Sequence, residues 1–180
     1  LSERGYQTAI ALGDRDHAAC HARRALYYSF FHENEPARVS SWSSRLRHNA
    51  DFTIATRARN AYYLGLISQQ FGEFQYALDA FESVEKSYKR LHLASDPIIQ
   101  SANEKRALIL AVLGRPSRAL SLTKDTDANW TTCANWLAGW NNRLWISMVL
   151  EQYGVEIADP TPEFEEILTL MSDSSDCYDP

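Results

Sequence analysis

Glycine and proline are scarce in this chain, seven and six residues in 180. Most of them fall where one helix would end and another begin: Gly13, Pro36, Gly72, Pro97, Gly114, Pro116, Gly154, Pro160 and Pro162. The stretches between them lack the strict apolar–polar alternation of a strand. Cysteine is also sparse. Cys20, Cys133 and Cys177 are odd in number and far apart, which excludes a small disulfide framework or a paired CxxC metal site and leaves reduced, buried thiols as the expectation. There is no basic surplus: the net charge is -5 and the pI about 5.5, and no run of Lys or Arg offers a face to nucleic acid or to an anionic membrane. Nor is there a long apolar run. The longest, 107–113 and 144–150 with Ser147 interrupting the second, fall far short of the roughly 20 residues that span a bilayer. A Gly-rich phosphate loop, a Gly-x-Ser-x-Gly elbow and paired carboxylates at catalytic spacing are all missing.

What is present is an ordinary globular composition, 45% hydrophobic, 12% aromatic and 23% charged. A single domain of this length buries roughly 70% of the surface its unfolded chain would expose. Apolar residues recur at intervals of three and four, as in Ala61, Leu64, Ile67, Phe71 and again in Ala77, Ala80, Phe81, Val84, which is the helical period. The pattern predicts an all-α fold with helices over 2–12, 15–33, 36–48, 52–70, 74–92, 96–113, 116–124, 130–153 and 161–171. The acidic cluster Glu163, Glu165, Glu166 decorates the start of the last of these.

The chain is also self-similar. Asn34-Glu35-Pro36-Ala37-Arg38-Val39, Gly72-Glu73-Phe74-Gln75-Tyr76-Ala77 and Gly114-Arg115-Pro116-Ser117-Arg118-Ala119 align, at spacings of 38 and 42 residues, and a further step of 40 reaches Gly154. Between them recurs a second element, Gly13-Asp14, Ala50-Asp51 and Ser95-Asp96, in which Asp is placed to cap a helix N-terminus. Alternating turns at this interval are the mark of a helix-pair repeat.

Residues Ala61 to Val84 carry a sharper likeness. Leu64-Gly65 on the first helix, Gly72 and Phe74 at the turn, and Ala77 and Phe81 on the second resemble the tetratricopeptide (TPR) signature. Small residues at Gly65 and Ala77 would let two antiparallel helices approach while Phe81 fills the groove between them. The neighbouring repeats depart from the pattern: Tyr27 stands where a small residue is expected, Arg106 where Leu is, and the spacing exceeds the usual 34 residues. The longer spacing and the phrase Ile10-Ala11-Leu12-Gly13-Asp14 are more similar to the longer-repeat arrays of bacterial signalling and regulatory proteins. The resemblance implies a right-handed superhelical array of about four antiparallel helix pairs. It would form one domain over residues 1–171, followed by a polar tail or linker at 172–180. Because the chain opens on Leu1 with Ser2-Glu3-Arg4 already reading as helix, an excerpt of a longer protein is expected.

In such an array the first helix of each pair lines a concave face that receives ligands. The resemblance places Arg24, Tyr28, Arg59, Tyr62, Leu66, Gln69, Glu104, Lys105 and Leu108 there, a mixture of rigid aromatic area, guanidinium forks and amide groups that suits peptide recognition. The Lys and Asn pair with which chaperone-tail-binding members hold a terminal carboxylate is not reproduced, since Arg24, Tyr28 and Tyr63 occupy those places. Trp136 and Trp140, within a stretch that also holds Trp130 and Trp145, are a second aromatic candidate, as core, as a cap of the stack or as a binding surface. His17 and His21 lie one turn apart with Cys20 between them, but a third ligand and the Glu of a metalloprotease helix are lacking, so no metal is expected.

The expected function is therefore that of a cytoplasmic scaffold domain in a larger signalling or regulatory protein, which binds a protein or peptide and needs no cofactor. The alternatives are a small-ligand or signal-peptide sensor that controls an attached output domain, or a self-association module that forms homo-oligomers. Enzymatic activity is not expected.

Overall fold

The computed structural model describes residues 2–47, 51–93 and 96–123, together with 146–149, 151, 152 and 154. Among these residues there is no strand. The helices are α1 (Ser2–Ala11), α2 (Arg15–Tyr28) prolonged by a π turn (Ser29–Glu33), α3 (Pro36–Arg47), α4 (Ile54–Gln70), α5 (Phe74–Arg90), α6 (Pro97–Val112) and α7 (Pro116–Thr123). The all-α expectation holds for them, and the sequence-based bounds of the first seven helices agree to within two residues apart from the π turn. The helices expected at 130–153 and 161–171 lie outside the described residues, except for 146–149 and 151, which are helical, and 152, a turn.

Local chemistry explains where the helices start and stop. Asp14 accepts a hydrogen bond from the His17 amide at 3.0 Å, and Asp96 accepts one from the Ile98 amide at 3.0 Å, each satisfying a donor that the first helical turn leaves open. At the third such place the cap is Thr53 and not Asp51: its hydroxyl accepts from the Thr56 amide at 3.3 Å, and α4 therefore begins two residues later than predicted. Pro36, Pro97 and Pro116 open their helices, where a missing N–H costs nothing. At the other end, the Gly72 amide bonds Gln69 O at 3.1 Å and the Glu73 amide bonds Ser68 O at 2.9 Å, the two bonds of a Schellman motif. Gly72 sits at φ 77°, a conformation most side chains resist. The same pair of bonds closes α1 at Gly13, α6 at Gly114 and, with a non-glycine residue at φ 59°, α5 at His92. Gly13 thus belongs with Gly72 and Gly114 in one turn class, although its sequence neighbour Asp14 suggests another.

The chain divides into two compact units, Leu1–Ala94 and Ser95–Pro180. In the first unit α2 packs on α1, α3 and α4, and α4 forms a hairpin with α5. Its core gathers Leu26 and three alanines of α2, Val39, Trp42 and Leu46 of α3, Phe52, and Leu64 and Ile67 of α4. The α4–α5 contacts pair Arg59 with Tyr88 and Gly65 with Phe81, so the numbering falls along one helix as it rises along the other and the two run antiparallel. A Cβ at Gly65 would lie 2.9 Å from Cε1 of Phe81, and the Phe81 ring is wholly buried. The helices close on each other because that hydrogen is not a methyl group.

In the second unit α6 and α7 form another hairpin. Ile99, Ala102, Ala107, Ile109, Leu110 and Ala111 of α6 are buried, as is Ala119 of α7. No helix of the described residues is long and apolar enough to cross a membrane.

The Gly65–Phe81 contact predicts a change of sign. Adding a methyl in Gly65→Ala gains about 1 kcal/mol of helix propensity but overpacks a filled site at a cost of about 1–3 kcal/mol, so the single variant is expected to be less stable. With Phe81→Leu in place the crowding ring is gone, and Gly65→Ala should then stabilise. Urea unfolding followed by circular dichroism on all four combinations measures this, and equal destabilisation in both backgrounds would refute the close-approach account.

Candidate functional site

Three contacts fix how α2 lies beside α4. Arg23 Nη1 donates to Asn60 Oδ1 at 2.7 Å, the Tyr27 and Tyr63 rings meet edge-on at 6.4 Å, and the Phe30 and Phe71 rings meet at 5.6 Å. The partners advance in the same direction along both helices, so α2 and α4 run parallel. Successive side chains of a helix turn by about 100°. The residue after each junction position on α2 and the residue before each on α4 therefore swing to one side of the two-helix layer. Arg24, Tyr28 and Phe31 come from α2 and its π turn, and Arg59 and Tyr62 from α4; Leu66 and Gln69 follow Arg59 and Tyr62 on the same stripe of α4 at an interval of seven residues. All six α2 and α4 residues expected from sequence at a concave face share this side.

Exposure follows the same division. Arg24 and Arg59 are exposed, Tyr62, Leu66 and Gln69 are half-buried, and Tyr28 keeps 56% of its surface open. Two residues missed by sequence reasoning join them. Tyr27, assigned by the repeat pattern to a small-residue packing position, is 42% exposed, and Phe31 is 47% exposed. Their spacing of three and seven from Arg24 was the available signal. The rings form a connected row: Tyr27 contacts Phe31 at 4.5 Å, Tyr28 stacks on His32 at 5.0 Å, and Tyr63 contacts Tyr62 at 5.9 Å, which in turn meets Phe81 at 5.7 Å. The exposed aromatic area is thereby anchored to the α4–α5 packing.

The π turn shapes one end of this row. The Asn34 and Glu35 amides both bond Ser29 O, and Asn34 stands at φ 51°. A π turn takes one residue more per hydrogen bond than an α turn, which shifts the phase of the side chains it carries. Phe30 turns inward to the core while its neighbour Phe31 stays at the surface.

Charge on this side is one-signed. After Asp16, α2 carries no carboxylate, and α4 carries none from Ile54 to Gln70. Arg24 has no carboxylate partner among the described residues, and the Arg59 Nε donates to the Tyr88 hydroxyl at 3.3 Å. Arg23, buried between the helices, is held by amide chemistry: Asn60 accepts from it and donates through Nδ2 to Leu46 O at 3.4 Å, so α2, α4 and α3 meet in one polar link. Burial pulls the Arg23 pKa below its usual range and repulsion from Arg59 adds to that, while Cys20 and Tyr63 act the other way. A guanidinium nonetheless stays charged.

Of the candidates on the second unit, Lys105 and Leu108 are half-buried, and burial pushes the Lys105 ammonium below its usual range against the opposing pull of Glu104. Glu104 corrects the expectation: it is only 2% exposed and is not presented to solvent, because it shares α6 with a set of buried positions on both sides of it, Ala102 and Ala107 among them. Trp136 and Trp140 lie outside the described residues, as do Cys133 and Cys177. Cys20 is a free, half-buried thiol. His17 and His21 approach to 5.1 Å between ring centres and line an open cleft of about 590 Å³ between α1 and α2, together with Arg4, Thr8 and Leu12. Among the described residues no three His, Cys, Asp or Glu side chains are placed to hold a metal ion.

The Arg23–Asn60 link predicts a coupled pair of stabilities. Asn60→Leu strands a buried guanidinium and is expected to cost about 2–3 kcal/mol, the range for hydrogen bonds to charged groups. Arg23→Met in the same chain should recover most of that loss, since an apolar pair can replace a buried polar one. Chemical denaturation of the single and double variants tests this; additive losses would mean that the two side chains do not act together.

Comparison with protein-family models, with curated proteins and with solved structures finds no match to the chain, so what it does is inferred from its own residues.

Proposed function

We propose that this chain is a binding scaffold that receives a protein or peptide segment along the shared side of α2 and α4. One observation carries the proposal: Tyr27, Tyr28 and Phe31 are 42%, 56% and 47% exposed beside Arg24, on helices whose other sides are packed into the core. Single exposed apolar residues are commonplace, but contiguous rings beside guanidinium groups are what buried interface centres are built from. The rings come with little conformational entropy to lose, because each is braced by a neighbour.

The finer reading is a TPR-like array of helix pairs within a larger signalling or regulatory protein. It is supported by the Gly65–Phe81 contact in the α4–α5 hairpin, by the same turn closing α4 at Gly72 and α6 at Gly114, each ahead of the second helix of its hairpin, and by α4 lying parallel to α2 one helix pair later. In such an array the α2–α4 side would be the concave one.

Peptides selected from a random displayed library by the purified chain provide the test. Arg24→Ala, Tyr28→Ala and Phe31→Ser, combined, remove exposed groups and should leave the thermal unfolding curve in place. They are expected to weaken the selected peptides at least thirtyfold, the effect of losing about 2 kcal/mol of contact energy. Undiminished binding to a folded triple variant would place the site elsewhere.

A further inference from the structure

The face described above has an order along the helix axis. Because α2 and α4 run parallel, Arg24 and Arg59 fall at one level, the tyrosines 27, 28, 62 and 63 at the next, and Phe31 and Leu66 beyond them. The cationic end and the apolar end are thus separated along the helices and not interspersed. From Arg24 to Phe31 is seven residues, or about 10 Å at the helical rise. An extended peptide covers that distance in about three residues.

The sign of the charge is also built in. The whole chain has net charge -5, yet α2 beyond Asp16 and all of α4 carry arginines and no carboxylate. Arg24 is exposed, and Arg23 behind it is spent on Asn60 and contributes positive potential from inside the layer. A ligand carboxylate at this end would meet the exposed guanidinium of Arg24, which has no carboxylate partner among the described residues, whereas a cationic ligand would be repelled.

Resting on the peptide-binding reading, we infer that the ligand is an internal acidic segment, with one or more Asp or Glu side chains about three residues from an aromatic or branched aliphatic anchor. The carboxylates lie at the Arg24 end and the anchor lies on Tyr27 and Phe31. The chain terminus is not needed, because it is side-chain carboxylates at a fixed spacing that match this order. Single-stranded nucleic acid would also meet rings and arginines, but the apolar end offers it nothing to neutralise its successive phosphates.

Random 12-residue peptides displayed with both ends blocked, selected on the purified chain and remeasured by fluorescence anisotropy, decide the matter. The selected set should be enriched in Asp and Glu, with an apolar residue recurring two to four positions away. Replacing the acidic residue of a selected peptide by its amide should weaken binding at least fivefold. So should Arg24→Gln, and the two changes together should cost little more than either alone, while Arg90→Gln, exposed on α5, has no effect. Raising salt should weaken the acidic peptides. Selected peptides that lose affinity with Tyr28→Ala and Phe31→Ser but show no acid enrichment, or no coupling to Arg24, would overturn the acidic assignment and leave the binding face standing. Peptides indifferent to Tyr28, Phe31 and Arg24 alike, or a library that yields no binder, would overturn both. A labelled dT 15-mer that binds the face more tightly than any selected peptide would also overturn the assignment.

Discussion

The buried contact between Arg23 and Asn60 is the constraint on which the rest of the first unit depends. A guanidinium taken out of water is costly, and among the described residues no carboxylate is recruited to offset it. An amide does that work, and its other end is committed to Leu46 O on α3. Apolar packing of Leu26, Leu64 and Ile67 would tolerate a slide of one helix along the next, but a polar link satisfied at only one register would not. Parallel alignment of α2 and α4 at that register is what sends Arg24, Tyr28 and Phe31 to the same side as Tyr62 and Leu66.

Steric exclusion plays the matching part in the α4–α5 hairpin. Gly65 gives up a side chain so that Phe81 can lie against the helix backbone, and the ring reaches on to Tyr62. The exposed row is therefore continuous with the core through Tyr63 and Tyr62. That continuity gives the surface rings fixed positions at small entropic cost, a property expected of a recognition surface and not required of a solvated one. The π turn at the end of α2 adds to it by separating Phe30, which packs inward, from Phe31, which does not.

Electrostatics on this face is a matter of what was left out as much as of what was put in. Elsewhere in the first unit several charged side chains are paired: Arg38 with Glu33, Arg45 with Glu3, Lys86 with Glu82 and Lys89 with Glu85. Most of these are exposed pairs of small energetic value, but they cancel the local field. Beyond Asp16, α2 carries no carboxylate, and the field of Arg23 and Arg24 persists at the surface.

The sequence by itself determined the helices, their ends and the α4–α5 packing. These are set by interactions within a few residues: the apolar period, Asp14 and Asp96 as caps, glycine where φ must be positive, and a Gly65–Phe81 pair joined by one short hairpin. Even there, local signals compete, as the Thr53 cap in place of Asp51 shows; both residue types can cap, and only the chain's path chooses between them. Tertiary structure decided which aromatic residues of α2 stay open beside Arg24 and Tyr28. Tyr27 is an aromatic residue in an apolar stripe, yet it is 42% exposed, while Arg23, one turn before it, is buried against Asn60, thirty-seven residues away. Glu104 is the converse, a charged residue that sequence places at the surface and packing buries. For Arg23 the deciding partner is distant along the chain, and helical periodicity fixes the angles between side chains of one helix without saying which angle faces the neighbour.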